Sequence, residues 1–176
     1  MITAAALVLS DGFGVDTKMK DISSFWNSSS PMSKDLCKKV KLFVHNLLYC
    51  DFDDYYTETT GKNDPPKWMT TGMFYTLLDM TNRGIKIAAT NRDYLNECIL
   101  DSVIETHQDS KDRYAQDVAA AIADGTEQPT VASYPHWMMS NHDSGKSRVG
   151  FLEYLVPNLH KSMEEHPYLG IKLFDK

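Results

Sequence analysis

Apolar residues return every three or four positions in one segment of this chain after another, and that period is the strongest constraint on its fold. Leu36, Val40, Phe43, Val44, Leu47 and Leu48 mark one stripe, and Met69, Met73, Phe74, Leu77 and Leu78 a second. Tyr94, Leu95, Cys98, Ile99 and Val103 form a third, and Tyr114, Ala115, Val118, Ala119 and Ile122 a fourth. The last runs through Val149, Leu152, Leu155, Val156 and Leu159. Residues so spaced share one face of an α-helix, and burying such faces against each other builds a bundle. The apolar-polar alternation of a half-buried strand is scarce. The spacing predicts an all-α single domain of about five to seven helices with extended N- and C-terminal arms.

The boundaries carry their own chemistry. Ser33 reads as the N-cap of the first stripe's helix. Pro65-Pro66 can open the second, and Asn82-Arg83-Gly84 can close it. Thr90 with Asp93 resembles a capping box for the third. The fourth, from Ser110 to Asp124, stops at Gly125. Between the helices, residues 59–64 read as exposed loop, and 126–144 as a long connection holding Pro129, Pro135 and Trp137. Connections of that length tend to be functional or packed on a neighbour. Pro157 is expected to kink or break the last helix.

This divides the chain into an N-terminal arm over 1–32, a helical core over 33–166 and a C-terminal arm over 167–176. Residues 2–9 and 168–174 are apolar, and neither stretch obviously belongs to the core. Apolar segments without a home in their own domain pack on another subunit, and repeated head-to-tail contacts build open assemblies. The partner predicted on this ground is a second copy of the chain, held through its terminal arms.

Charge limits the other partners. The 176 residues carry 18 basic and 24 acidic side chains, a net charge of -6. That total excludes a protein basic all over but leaves room for a local basic groove. Lys38, Lys39 and Lys41 lie along one predicted helix, Arg83, Lys86 and Arg92 surround a turn, and Lys146 and Arg148 open the last helix. Converging on one groove, they are the candidates for holding a nucleic-acid backbone through its phosphates. Ile2 to Leu9 is too short to span a bilayer and lacks the basic residues of a secretory leader, so no membrane partner is expected. Three cysteines make no disulfide framework, which favours a reducing compartment such as the cytoplasm over secretion.

Catalytic constellations are sparse. His107, the His142-Asp143 pair and His166 form the one arrangement resembling a metal site. Asp143-Ser144-Gly145-Lys146 after His142 resembles the His-Asp-x-Gly-Lys pattern of HD-type metal-dependent phosphohydrolases, in which a metal-bound water attacks phosphate. Ser140-Asn141 before the pair departs from that family's apolar helix, and scattered surface histidines are the commoner meaning of such a match. Gly145-Lys146-Ser147 is similar to the end of a phosphate-binding loop, with Ser140 where the first glycine belongs. Cys37, Cys50 and Cys98 sit on or beside apolar faces, where cysteine is usually a small core residue. No cofactor is implied, and enzymatic activity is not expected. A helical protein-protein interaction module is the remaining alternative.

Four features, in order, resemble the coat-protein core of flexuous filamentous plant viruses of the potyvirus and potexvirus kind. They are the apolar helix ending Thr81-Asn82-Arg83-Gly84; the run from Arg113 through Tyr114, Ala115 and Val118 to Ile122; the stretch Glu127-Gln128-Pro129 and Tyr134-Pro135-His136-Trp137; and Arg148-Val149-Gly150-Phe151-Leu152-Glu153-Tyr154. The resemblance covers roughly residues 67–155. It implies a helical capsid or nucleocapsid subunit whose arms hook neighbours and whose groove holds single-stranded RNA. An arginine on the long helix and an aspartate in the last segment help shape the family's RNA pocket. Arg113 lies later in its helix than that arginine, and Glu153 replaces the aspartate off register.

Overall fold

A computed structural model describes residues 2–28, 31–50, 52–88, 90, 92–140 and 144–164. The fold is all-α. In chain order the helices are α1 (Ile2–Asp11), α2 (Met19–Asn27), α3 (Lys34–Tyr49), α4 (Phe52–Thr60), α5 (Lys67–Asn82), α6 (Arg92–Asp124), α7 (Pro135–Met138) and α8 (Gly145–Glu164). A 3-10 turn at Val131–Ser133 precedes α7, and no strand occurs among the described residues. The predicted C-terminal arm, 167–176, lies outside them.

α3 and α5 form where their stripes and caps place them. Ser33 Oγ accepts from Leu36 N at 3.0 Å, filling one of the free amides of the first turn of α3. Pro66 caps α5, and Gly84 ends it with φ +78°. Ile85 N then donates to Met80 O at 2.9 Å, closing the helix end as a left-handed glycine allows. Met69, Met73, Leu77 and Leu78 put α5 at the centre of the core. α1 and α3 pack on one side of it, and α6 and α8 on the other.

The N-terminal arm is overturned for residues 2–11. They form α1, whose Ala5, Ala6, Leu7, Val8 and Leu9 are all buried, and which packs on α3 and α5. A helix apolar on every side belongs inside a fold, and here the fold's own α3 and α5 bury it. The core therefore begins at residue 2 rather than 33.

The third and fourth predicted helices are one. α6 runs unbroken for 33 residues, about 50 Å. Residues 104–109 carry no glycine or proline to stop it. Their polarity reflects the neighbours α6 meets there: Thr106 Oγ1 accepts from Asn158 Nδ2 on α8 at 2.9 Å, and Ser110 meets α7. α8 likewise continues through Pro157, which is exposed. A proline facing outward removes one hydrogen bond without ending the helix.

Candidate functional surfaces

α6, the 129–135 connection and α8 enclose a groove of about 760 Å³. Its wall is pinned by hydrogen bonds from the long connection back to α6. Tyr134 OH donates to Asp117 Oδ2 at 2.6 Å, and this bond, with burial, pushes the phenol up to about 12. His136 N donates to Ser110 Oγ at 3.0 Å, and the Ser110 hydroxyl lies 2.8 Å from His136 Nδ1. Ser110 thus meets both the backbone and the ring of His136. Burial, with Lys111 nearby, lowers the His136 pKa and so favours the neutral ring. The pair has the reach of a nucleophile and its base, but no carboxylate meets Nε2 among the described residues. Ser110 anchors the connection to α6.

Arg113 and Glu153 line this same groove from α6 and α8, so the two positions singled out by the coat-protein resemblance do come together. Asp109 and Asp117 line it too, and with Glu153 they outnumber the single guanidinium. Such a groove disfavours a phosphate backbone. Tyr134, Tyr154 and three prolines make its walls.

The other candidate basic residues fall into two groups. Lys39 Nζ reaches Asn82 Oδ1 at 3.2 Å, tying α3 to the turn after α5. His45 and Asn46, about two turns on, hold the backbone of Ile85 and Ile87. Lys39 of α3 thus sits beside the turn that carries Arg83 and Lys86, while Lys38 and Lys41 are exposed on the same helix. Asp79 takes Arg83 Nε at 2.7 Å, and Asp35 lies 3.8 Å from Lys39 Nζ, so part of this charge is neutralised. Arg92 pairs with Asp93 at 3.0 Å, and Lys146 is exposed on the first turn of α8. Neither joins this group.

Arg148 is a correction. It is 1% exposed and belongs to the core rather than to a phosphate-binding surface. Its Nε donates to Phe13 O at 3.3 Å, its Nη1 to Thr17 Oγ1 at 3.1 Å, and its guanidinium lies 5.4 Å from the centre of the Tyr75 ring. Next to it, Gly145 N donates to Asp16 Oδ1 at 3.0 Å, which holds the Asp16 carboxyl below its usual range. The helix start that resembled a phosphate-binding loop already holds an anion, a carboxylate of its own chain. Gly145 must be glycine here: a Cβ would overlap the Gly14 carbonyl.

His107 stacks on Trp68 with ring centres 3.7 Å apart and planes 6° apart. Burial, helped by Lys111 and His136, pushes its pKa down to about 4, so the ring is neutral at pH 7. His142, Asp143 and His166 lie outside the described residues, and among those described no group of three His, Cys, Asp or Glu is placed to hold a metal. Cys37, Cys50 and Cys98 are free thiols, and burial pushes Cys50 up to about 12, which keeps it unreactive.

One surface escaped the sequence reading. α5 runs antiparallel to α6, and its first turn reaches α6 at the Trp68–His107 stack. Beyond that point α6 continues to Asp124, and of residues 111–124 only Ala121 is buried. Ala115, Val118, Ala119 and Ile122 occupy positions i, i+3, i+4 and i+7 of this stretch, with Ile122 63% exposed. The stripe was visible as a helical face, but its exposure depends on where α5 begins. No helix among the described residues is long and apolar enough to cross a membrane. No protein-family model, curated protein or solved structure matches the chain.

Proposed function

We propose that this chain is a non-enzymatic structural subunit that associates with copies of itself, the contact being the uncovered half of α6. The supporting observation is the stripe from Ala115 to Ile122, in which Ala115, Ala119 and Ile122 are exposed and Val118 is half-buried. Four apolar residues at helix-packing spacing favour burial against a second helix, and the alanines allow two backbones to approach closely. α1, first expected to be the associating arm, is already used inside its own fold. The full chain should therefore show concentration-dependent oligomers in sedimentation velocity. Ile122→Glu combined with Ala119→Glu should shift them to monomer while leaving the melting temperature nearly unchanged, since both sites face solvent. A chain that stays monomeric at high concentration, or a double variant that assembles like the parent, would sink the reading.

The α3 edge favours a second role for the same subunit, contact with single-stranded RNA as in a coat or nucleocapsid-type protein. Its cations meet backbone phosphates without reading sequence. Binding of a single-stranded oligonucleotide should weaken steeply with salt, with a log-log slope of about -3 for five contacts partly offset by Asp35 and Asp79. Lys38→Ala with Lys41→Ala and Lys86→Ala should flatten that slope. Salt-independent binding, or binding untouched by the triple variant, would remove RNA from the proposal.

A further inference from the structure

The groove between α6, the 129–135 connection and α8 has no part in the self-association or the RNA contact proposed above. Asp109, Arg113 and Asp117 line it from the side of α6 turned away from Ala115 and Ile122. Its apolar walls are only partly covered by the described residues. Tyr154 is 42% exposed, Pro157 is exposed, and Tyr134 and Pro129 are half-buried. Its rim is acidic. Asp109 and Glu153 stand exposed along it, whereas Asp117 accepts from Tyr134 OH at 2.6 Å. Such a groove suits a partner that is apolar on one side and cationic on the other.

Residues 168–174, outside the described residues, have that pattern. Leu169, Ile171 and Leu173 share one side of an extended chain, and Lys172 stands on the other. They are also within reach. α8 runs antiparallel to α6, as Cys98 Sγ donates to Ser162 O at 3.9 Å and Asn158 Nδ2 to Thr106 Oγ1 at 2.9 Å. From Glu164 the groove lies back along α8, about 9 Å away at Asn158 and about 15 Å at Tyr154. A reversal over 165–168 and then about five residues of extended chain cover that distance, which brings Lys172 level with Glu153. Residues 2–9 set a precedent in this fold, an apolar segment near one end that α3 and α5 of its own chain bury.

We infer that residues 168–174 lie in the groove of their own chain, with Leu169, Ile171 and Leu173 against Tyr154, Pro157 and Tyr134, and Lys172 at Glu153. The segment is then a built-in plug, and any other occupant of the groove must displace it. This holds whether or not α6 pairs with a copy or α3 meets RNA.

Hydrogen exchange of the full chain is compared with that of a synthetic peptide of residues 165–176. Amides of 169–174 should exchange at least about tenfold more slowly in the chain, as expected of a segment docked nine-tenths of the time. Ile171→Asp with Leu173→Asp should remove that protection from the segment's side, and Tyr154→Glu from the groove's side, both at unchanged helicity by circular dichroism. A carbodiimide, which joins lysine to carboxylate, should link Lys172 to Glu153, and Lys172→Arg should abolish the link. In an equal mixture of isotope-labelled and unlabelled chains, the link should join only peptides of one label. Exchange at the free-peptide rate, protection untouched by both variants, or absence of the Lys172 link would each overturn the inference. So would links of which about half are mixed, since they would place the segment in the groove of a second copy.

Discussion

Arg148→Ala is expected to cost about 3 kcal/mol in urea unfolding, among the largest effects of any single polar substitution in this protein. The loss has three parts. The Phe13 carbonyl and the Thr17 hydroxyl each lose a charged donor, at 3.3 and 3.1 Å, in a site closed to water. Tyr75 loses the cation 5.4 Å from its ring centre. A cavity the size of a guanidinium and its stem opens between α5 and α8. Arg148→Lys should rescue little, because one ammonium cannot reach two acceptors and a ring face in the fork geometry of arginine. The damage should also be local in origin: hydrogen exchange at 13–17 should accelerate more than in α6. If Arg148→Ala unfolds at the parent's urea midpoint, the buried joint between the first linker and α8 contributes nothing to stability.

That joint also shows what the sequence could and could not convey. α3 and α5 were legible because each combines a stripe at helical spacing with a recognisable start, Ser33 or Pro66, and α5 has a glycine stop at Gly84. α1 was not, since a short run apolar on all sides has no period to read, and its place was decided by α3 and α5, remote in sequence. α6 looked like two helices because its middle turns carry Thr106, His107 and Ser110. Polarity there means contact with Trp68, α7 and α8, which no local pattern encodes. Charge misled in the same way. Lys38, Lys39 and Lys41 are surface residues as read, whereas Arg148, equally basic, is held by acceptors on Phe13 and Thr17, more than a hundred positions away. Gly145-Lys146-Ser147 was rightly seen as a helix start suited to an anion. That the anion is Asp16 depends on the tertiary fold.

Asn46 carries the second large expectation, and nothing about its position in the stripe of α3 advertises it. It is 0% exposed, and its side-chain amide does the work of a missing strand. Nδ2 donates to Ile85 O at 2.9 Å and to Thr81 Oγ1 at 3.3 Å, while Oδ1 accepts from Ile87 N at 2.9 Å. The segment after α5 has no helix or sheet to satisfy its backbone, and Asn46 supplies both a donor and an acceptor in their place. Asn46→Leu, which by hydropathy should improve an apolar face, is expected instead to destabilise by about 3 kcal/mol, because Ile87 N is left buried and unpaired and the half-buried Ile85 O loses its donor. Asn46→Asp should be no better: it keeps the acceptor for Ile87 N but sets a carboxylate against the Ile85 carbonyl. The same substitution tests the α3 edge from inside. Asn46 holds the turn that carries Arg83 and Lys86 against α3, so Asn46→Leu should weaken oligonucleotide binding although it removes no charge. A variant that keeps the parent's urea midpoint would show that water or a shifted backbone satisfies residues 85–87. One that loses stability yet binds oligonucleotide with an unchanged salt slope, under conditions where it is folded, would separate the RNA contact from this edge.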